Sequence, residues 1–355
     1  PGHALAPGSL SQQGEKRLNI LGIGRAVPEQ AITNAQLEQI LDTSDEWIKS
    51  RTGIQERRVM SSQNLTALAV AAAREALADA GVAGEELDLV LVATTLGDYL
   101  FPSLSCLLLK EIGASCPAMD LHAACTGFLY SLQTADAFLT SGKSNRVLVV
   151  GAEAISRMAN WKDRSTCVLF GDGAGAVVLG PGEGLLSIHL HAQTDQELLF
   201  AHSPQGNCPY TRMEDWDAEA GLTMSGQDVF RFAVSQSEKD LRTAVDEAGL
   251  TFEQIDWVLL HQANRRILDT VRRRLNLNRE QMPSNIHKTG NTSAASIPLL
   301  LWELYHTGRL QKGHTLALSA FGAGLTSGAC VLRWQKDPPE TTIEAPDLFS
   351  DDSDT

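Results

Sequence analysis

The chain has 355 residues, 43% of them hydrophobic and 20% charged, which exceeds what one core usually fills and predicts two lobes or one large layered body. No uninterrupted apolar run approaches the roughly 20 residues of a bilayer span. The six cysteines, at 106, 116, 125, 167, 208 and 330, form neither a C-x-x-C pair nor a Cys/His cluster with zinc spacing, so a cytoplasmic protein without disulfides or metal is expected. The formal charge of −14 argues against general nucleic-acid affinity.

In chain order, residues 1–17 lack the apolar core of a signal peptide and read as a flexible arm. Residues 18–181 and 182–336 read as two related lobes, divided near Pro181-Gly182. From Arg74 the chain runs REALADAGVAGEELDLVLV, and 168 residues later, from Arg242, RTAVDEAGLTFEQIDWVLL repeats the helix, its Ala-Gly stop, the acidic linker and the apolar strand. RVLVVGA from Arg146 and HTLALSA from His314 stand at the same offset. Such duplication implies two pseudo-symmetric α/β lobes, each with crossover helices and a mostly parallel sheet. Residues 337–355 carry seven acidic and no basic side chains and read as a disordered acidic tail.

Three loops could carry chemistry. Cys125 follows the strand-like CPAMDL and precedes a long helix; alone it could be buried filler, or a nucleophile whose thiolate the helix N-terminus favours. His261, after the strand IDWVLL, could be a satisfied core histidine, and Asn291 in KTGNTSAASIPLLL a turn residue. Together, on three corresponding strand-exit loops, they suit acyl transfer through a thioester: one thiolate, and two donors for an oxygen on which charge develops. Cysteine hydrolysis ranks lower, since no C-G-x-C-W signature is present. The offset that relates the lobes carries Cys125 onto Ser293.

The remaining motifs bear on binding. GIGRA at Gly22 lacks the third glycine of a dinucleotide fingerprint, and FGDGAG (170–175) and FGAGLTSG (321–328) lack the lysine of a P-loop, so close backbone approach to a bound group is expected there. HLH at 189–191 offers two imidazoles and no third metal ligand. In RRILDTVRRRL, Arg265, Arg266, Arg272, Arg273 and Arg274 read as a solvated helix face or as a dock for an acidic partner.

DTSDEWIKSRTGI, AACTGF, FGDGAGA, HQANRRI, GNTSAASIP and FGAG, in this order between about Leu18 and Trp334, together resemble β-ketoacyl-(acyl carrier protein) synthase III, a family of the thiolase superfamily. The resemblance implies a duplicated, layered αβαβα fold and decarboxylative condensation of an acyl-CoA primer with malonyl-(acyl carrier protein), initiating fatty-acid or polyketide synthesis. Cys125 would carry the acyl group, with His261 and Asn291 holding the malonyl thioester oxygen. The amides of Cys125 and Ala323 would form the oxyanion hole. Trp47 and Arg164 would sandwich the CoA adenine with Thr43 and Arg51 nearby, and Phe230 and Asn264 would line the pantetheine channel. Phe101 would reach across a homodimer interface to floor the neighbour's acyl pocket, and Arg265, Arg266, Arg272 and Arg273 would dock the carrier protein. No cofactor beyond the CoA thioester substrate, no metal, no nucleic acid and no membrane is implied. Ser165, Ala323, Ser327, His122 and Thr126 depart from the common pattern around the site. The competing reading is a relative that passes the same acyl group to a hydroxyl or amine. Asn291, needed for decarboxylation, favours condensation, and Cys125 itself disfavours a non-catalytic subunit.

Overall fold

The computed structural model describes residues 17–195, 197–202, 221–344 and 348. The arm before Arg17, Gln196, residues 203–220 with Cys208, and tail residues 345–347 and 349–355 lie outside the described part. Two sheets carry the architecture. The first comprises β1 (Arg17–Ala26), β2 (Leu89–Ala93), β3 (Ala118–Leu121), β4 (Val147–Ala154) and β5 (Asp172–Gly182), in spatial order β1-β5-β4-β2-β3. The second comprises β6 (Leu185–Ala192), β7 (Trp257–Leu260), β8 (Thr315–Gly322) and β9 (Thr326–Arg333), in order β7-β8-β9-β6. β1 and β6, β2 and β7, and β4 and β8 correspond at the offset seen in the sequence.

Alternation along the strands builds the layers. Leu89 and Leu91 face one core and Val90 and Val92 another, as a period of two requires. The first of these cores packs helices α4 (Gly127–Thr140) and α7 (Ser296–His306) between the sheets, through Phe128, Leu132, Ile297 and Leu301 against Val149 on one side and Leu318 on the other. Helices α2 (Leu65–Ala80) and α3 (Leu104–Ile112) cover the outer face of the first sheet. α5 (Gly226–Glu247) and α6 (Arg265–Arg274) cover that of the second. The result is the αβαβα sandwich. Ahead of α2 lies α1 (Asp45–Thr52), capped by the Ser44 hydroxyl, which accepts from the Trp47 amide, and closed by Gly53 at φ 76°.

Four expectations change. The sheets are mixed rather than mostly parallel: β2–β4, β2–β3 and β7–β8 run parallel, and β1–β5, β4–β5, β8–β9 and β9–β6 antiparallel. The turn between β8 and β9 is too short for the crossover helix that a parallel pair needs. The second-lobe counterpart of β3 is the helical turn Ile286–Thr289, so Asn291 leaves a helix rather than a strand. Arg17 belongs to β1 and pairs with Asp136 at 2.9 Å, not to the arm. The described part of the tail lies on the body: Lys312 pairs with Asp337 at 3.0 Å, Ile343 N donates to His306 O at 2.9 Å, and Leu348 is buried in the middle core.

In GIGRA, a Cβ on Gly22 would stand 2.3 Å from Ala76 O, and one on Gly24 2.2 Å from Ala72 O, so these glycines let α2 settle onto β1. No helix among the described residues is long and apolar enough to cross a membrane.

Candidate active site

Cys125 sits in a single 3-10 turn, Ala124–Thr126, between β3 and α4. Ala124 takes φ 45° and Ser293, in the matching loop of the second lobe, φ 51°, left-handed conformations that cost about 1–3 kcal/mol and persist where surrounding structure imposes them. The end of β8 presses against the nucleophile: a Cβ on Gly322 would stand 2.9 Å from Cys125 N. Gly322 therefore brings Ala323 to the loop that holds the Cys125 amide. Gly171 does the same for the Asn291 loop, since a Cβ there would stand 2.1 Å from Thr289 O. Both glycine-rich runs thus approach the chain's own backbone, and Gly322, Ala323 and Gly324 also line the cavity, where approach to a bound group was expected.

The thiol is half-buried, opening onto the cavity. Burial pushes it up to about 12, with the Ser293 side-chain hydrogen bond opposing and the Glu153 charge adding to the rise. This burial opposes the thiolate expected at the start of α4. Behind it, Glu153 of β4 is 1% exposed and burial pushes its carboxyl up to about 7.

His261 is 1% exposed, and burial pushes it down to about 3, so the ring is neutral near pH 7. Its Nδ1 lies 2.7 Å from Ser296 Oγ, which also accepts from Gln262 N at 3.4 Å. Ser296 Oγ thus sits between the ring and the Gln262 amide, and the donor and acceptor roles along the Nδ1 contact follow the tautomer of the ring. Phe321 packs edge-on at 5.3 Å between ring centroids. Asn291 is held on both sides by Leu169 and Gly171 (N to Leu169 O 2.8 Å; Gly171 N to its O 3.0 Å), and its Oδ1 accepts from Ser293 N at 2.9 Å. The Nδ2 hydrogens are left for the cavity. Cys125, His261, Asn291 and Ala323 all line that one cavity of about 1230 Å³: a thiol beside two neutral donors, the arrangement that thioester condensation needs.

Residues 119–194 match the sequence family described as 3-oxoacyl-(acyl carrier protein) synthase III, and residues 245–334 its C-terminal part. The β-ketoacyl-(acyl carrier protein) synthase III 1 of Bacillus anthracis is 46% identical over 324 residues, which is 90% of this chain and 99% of that one. The chain belongs to the synthase III family. The crystal structure of the synthase III from Aquifex aeolicus VF5 superposes with a TM-score of 0.84 at 42% identity, covering 89% of this chain and 100% of the other. The priming β-ketosynthase of the R1128 polyketide pathway does so at 0.83 and 34%, covering 93% and 100%. The chain is accordingly an acyltransferase-class condensing enzyme with the thiolase-like fold.

Within this synthase III, Trp47, Arg51, Phe230 and Asn264 line the cavity, whereas Thr43 does not. The Arg164 guanidinium carbon stands 5.3 Å and that of Arg51 4.9 Å from the Trp47 ring centroid. Arg164 is also ion-paired to Asp42 at 3.3 Å and bonded to its carbonyl. A base held between two faces needs about 7 Å, twice a van der Waals contact, so Trp47 and Arg164 are closed on each other and must part to admit one. Asn264 caps α6, its Oδ1 accepting from Arg266 N at 2.9 Å. On α6, Arg265 is half-buried beside Asp269 and Arg272 turns back to Leu277 O, while Arg266 and Arg273 are exposed. Phe101 is 85% exposed, next to Leu100 at 73% and Tyr99 at 62%.

Among the departures, Thr126 Oγ1 donates to Ala123 O at 2.6 Å and meets Thr326 Oγ1 at 2.8 Å, tying the nucleophile loop to β9. Ser165 Oγ donates to Asp163 at 2.7 Å. Ser327 is buried, and His122 lines the cavity. Sequence reasoning missed Glu153, Thr95 and Ser296. The signal for Glu153 was present, one carboxylate in the buried strand VLVVGAEA.

Proposed function

We propose that Cys125 takes an acyl group from an acyl-CoA primer and that the acyl-enzyme condenses with malonyl-(acyl carrier protein), carbon dioxide leaving. The amides of Cys125 and Ala323 receive the oxyanion of each tetrahedral intermediate. Nε2–H of His261 and Nδ2–H of Asn291 stabilise the malonyl thioester oxygen as the carboxylate departs, and the carbanion attacks the acyl carbon. What supports this reading is His261, kept neutral by burial and touching Ser296 through Nδ1, beside Asn291 whose Oδ1 accepts from Ser293 N, both on one cavity with Cys125; in this reading both act as donors to the enolate oxygen.

CoA enters past Trp47 and Arg164, the carrier protein meets Arg266 and Arg273, and no cofactor beyond the thioester is required. The exposed Tyr99-Leu100-Phe101 run supports a homodimer in which Phe101 floors the partner's acyl pocket, and free cysteines suit a cytoplasmic setting. The division of the chain into lobes at 181/182 with an arm and a tail belongs to the same reading. Mass spectrometry of Cys125 after incubation with a panel of acyl-CoAs tests the loading step. Asn291→Ala should still load acyl on Cys125 and lose condensation by about 10²–10³-fold. Normal condensation by that variant, or label on another residue, would replace this mechanism with acyl transfer to a hydroxyl or amine.

A further inference from the structure

Asn291 can stabilise an enolate oxygen only if its side chain presents nitrogen rather than oxygen to the cavity, and the two ends of a primary amide have nearly the same shape. What separates them here is the Ser293 amide, which donates to Asn291 Oδ1 at 2.9 Å; with the side chain turned over, a donor would face a donor. That amide points where it does because Ser293 takes φ 51°, a left-handed backbone that a residue other than glycine keeps only where its surroundings impose it. The hold is on the side chain. Ser293 Oγ donates to Glu153 Oε1 at 2.9 Å, across the seam between the lobes. Since φ is rotation about the N–Cα bond, a side chain pinned at its hydroxyl resists the turn that would swing the backbone out of this region.

Glu153 is itself aimed. Thr95, two residues past β2, donates from its amide to Oε2 at 3.0 Å and from its hydroxyl to Oε1 at 2.9 Å, so three donors meet a carboxylate that is 1% exposed. Gly151, on the same face of β4, makes room: a Cβ there would stand 2.5 Å from Ala294 O. One strand of the first lobe thus seats the second-lobe loop by a gap and holds it by a bond. The matching loop is braced differently, by Thr126 Oγ1 donating to Ala123 O at 2.6 Å. In the turn Ser293–Ala295 the place of that threonine is taken by Ala295, which leaves the brace to Ser293.

We propose that Glu153 is a positioning residue for condensation: through Ser293 it sets which end of the Asn291 side chain faces the substrate. It does not line the cavity and moves no proton. Leu169 O and Gly171 N already hold the Asn291 backbone. The first lobe therefore fixes both the place of this second-lobe residue and the sense of its amide.

The inference rests on the proposed donor role of Asn291, so its test includes a readout that needs no substrate. Ser293→Ala and Ser293→Gly both lack the hydroxyl and differ by one methyl group, but glycine takes a positive φ without help. Single-turnover condensation of acylated enzyme with malonyl-(acyl carrier protein) should slow by about 10- to 100-fold in Ser293→Ala, short of the ~10²–10³ for a donor removed outright. In Ser293→Gly it should stay within about fivefold of wild type. Glu153→Met, of similar length and without an oxygen, should match Ser293→Ala, and adding Ser293→Gly to it should restore most of the rate. Loading of Cys125 from acyl-CoA should change by less than about fivefold in all of them, a split that a general loss of structure would not give. Crystal structures of the two Ser293 variants without substrate should show the contact from the residue 293 amide to Asn291 broken with alanine and kept with glycine.

Equal losses in the alanine and glycine variants, loading lost as far as condensation, or an unbroken contact in Ser293→Ala would overturn the inference. If Glu153→Met does not fold, the Ser293 pair decides. A broken contact in Ser293→Ala with condensation at the wild-type rate keeps Glu153 as the group that orients Asn291 and refutes the donor role given to Asn291.

Discussion

Replacing Ser296 with alanine removes one hydroxyl that touches no substrate and should nonetheless slow condensation. Ser296 Oγ, itself buried, stands 2.7 Å from Nδ1 of a ring that is 1% exposed. A buried acceptor left without its donor costs about 1–3 kcal/mol. In the proposed mechanism Ser296 donates to Nδ1 and by that amount favours the tautomer with hydrogen on Nε2, which there holds the malonyl thioester oxygen. At 1.4 kcal/mol per factor of ten, the productive tautomer should fall by up to about 100-fold, within the ~10²–10³ cost of losing one donor outright. Condensation should therefore slow by about 10- to 100-fold in single-turnover reactions of acylated enzyme with malonyl-(acyl carrier protein), while loading from acyl-CoA holds. Nitrogen-15 shifts of the His261 ring report the tautomer directly. Full-rate condensation, or a proton still on Nε2 in the Ser296→Ala protein, would refute the assignment of the serine as the group that sets it.

Reversal of Arg266 and Arg273 to glutamate should raise KM for malonyl-(acyl carrier protein) and leave acyl-CoA loading nearly unchanged, with an effect that shrinks as salt rises because exposed charges are screened within about 10 Å at 0.1 M ionic strength; an equal loss in both half-reactions would refute it. His261 in the folded protein is pushed down from 6.5 to about 3, so the unfolded chain binds the extra proton first: stability present above pH 6.5 is lost as pH falls toward 3. The slope of unfolding free energy across that window, from denaturant titrations, should be shallower in His261→Gln by up to about 1.4 kcal/mol per pH unit, and an unchanged slope would show that the imidazole titrates normally.

Much of this architecture is legible in the chain because apolar strands and Gly-stopped helices recur at a fixed offset. Strand direction is not: a period-two pattern reads the same either way, so the antiparallel returns β5 and β9 were invisible beside the crossovers. The helical turn at Ile286–Thr289 was likewise hidden, since duplication predicts a strand there. Around the site, Cys125, His261 and Asn291 stand out by type and by motif, but Ser296 and Thr95 are ordinary hydroxyls whose roles exist only through 2.7–3.0 Å contacts. Gly171 looked like a ligand contact because sequence shows that something comes close, not what; here it is Thr289 O. Leu348, one apolar residue among acids, gave no hint that it enters the middle core.

The matching loops at Ala124–Thr126 and Ser293–Ala295, one from each lobe, meet at the seam between two sheets. Neither lobe lines the cavity alone: the first supplies Cys125, the second His261 and Asn291. The centre therefore behaves like the keystone of an arch, giving the two halves their reason to stay in register. An acyl group or inhibitor bonded to Cys125 and resting against His261 and Asn291 would span that joint as a brace, so occupancy of the site would also tie the two halves together.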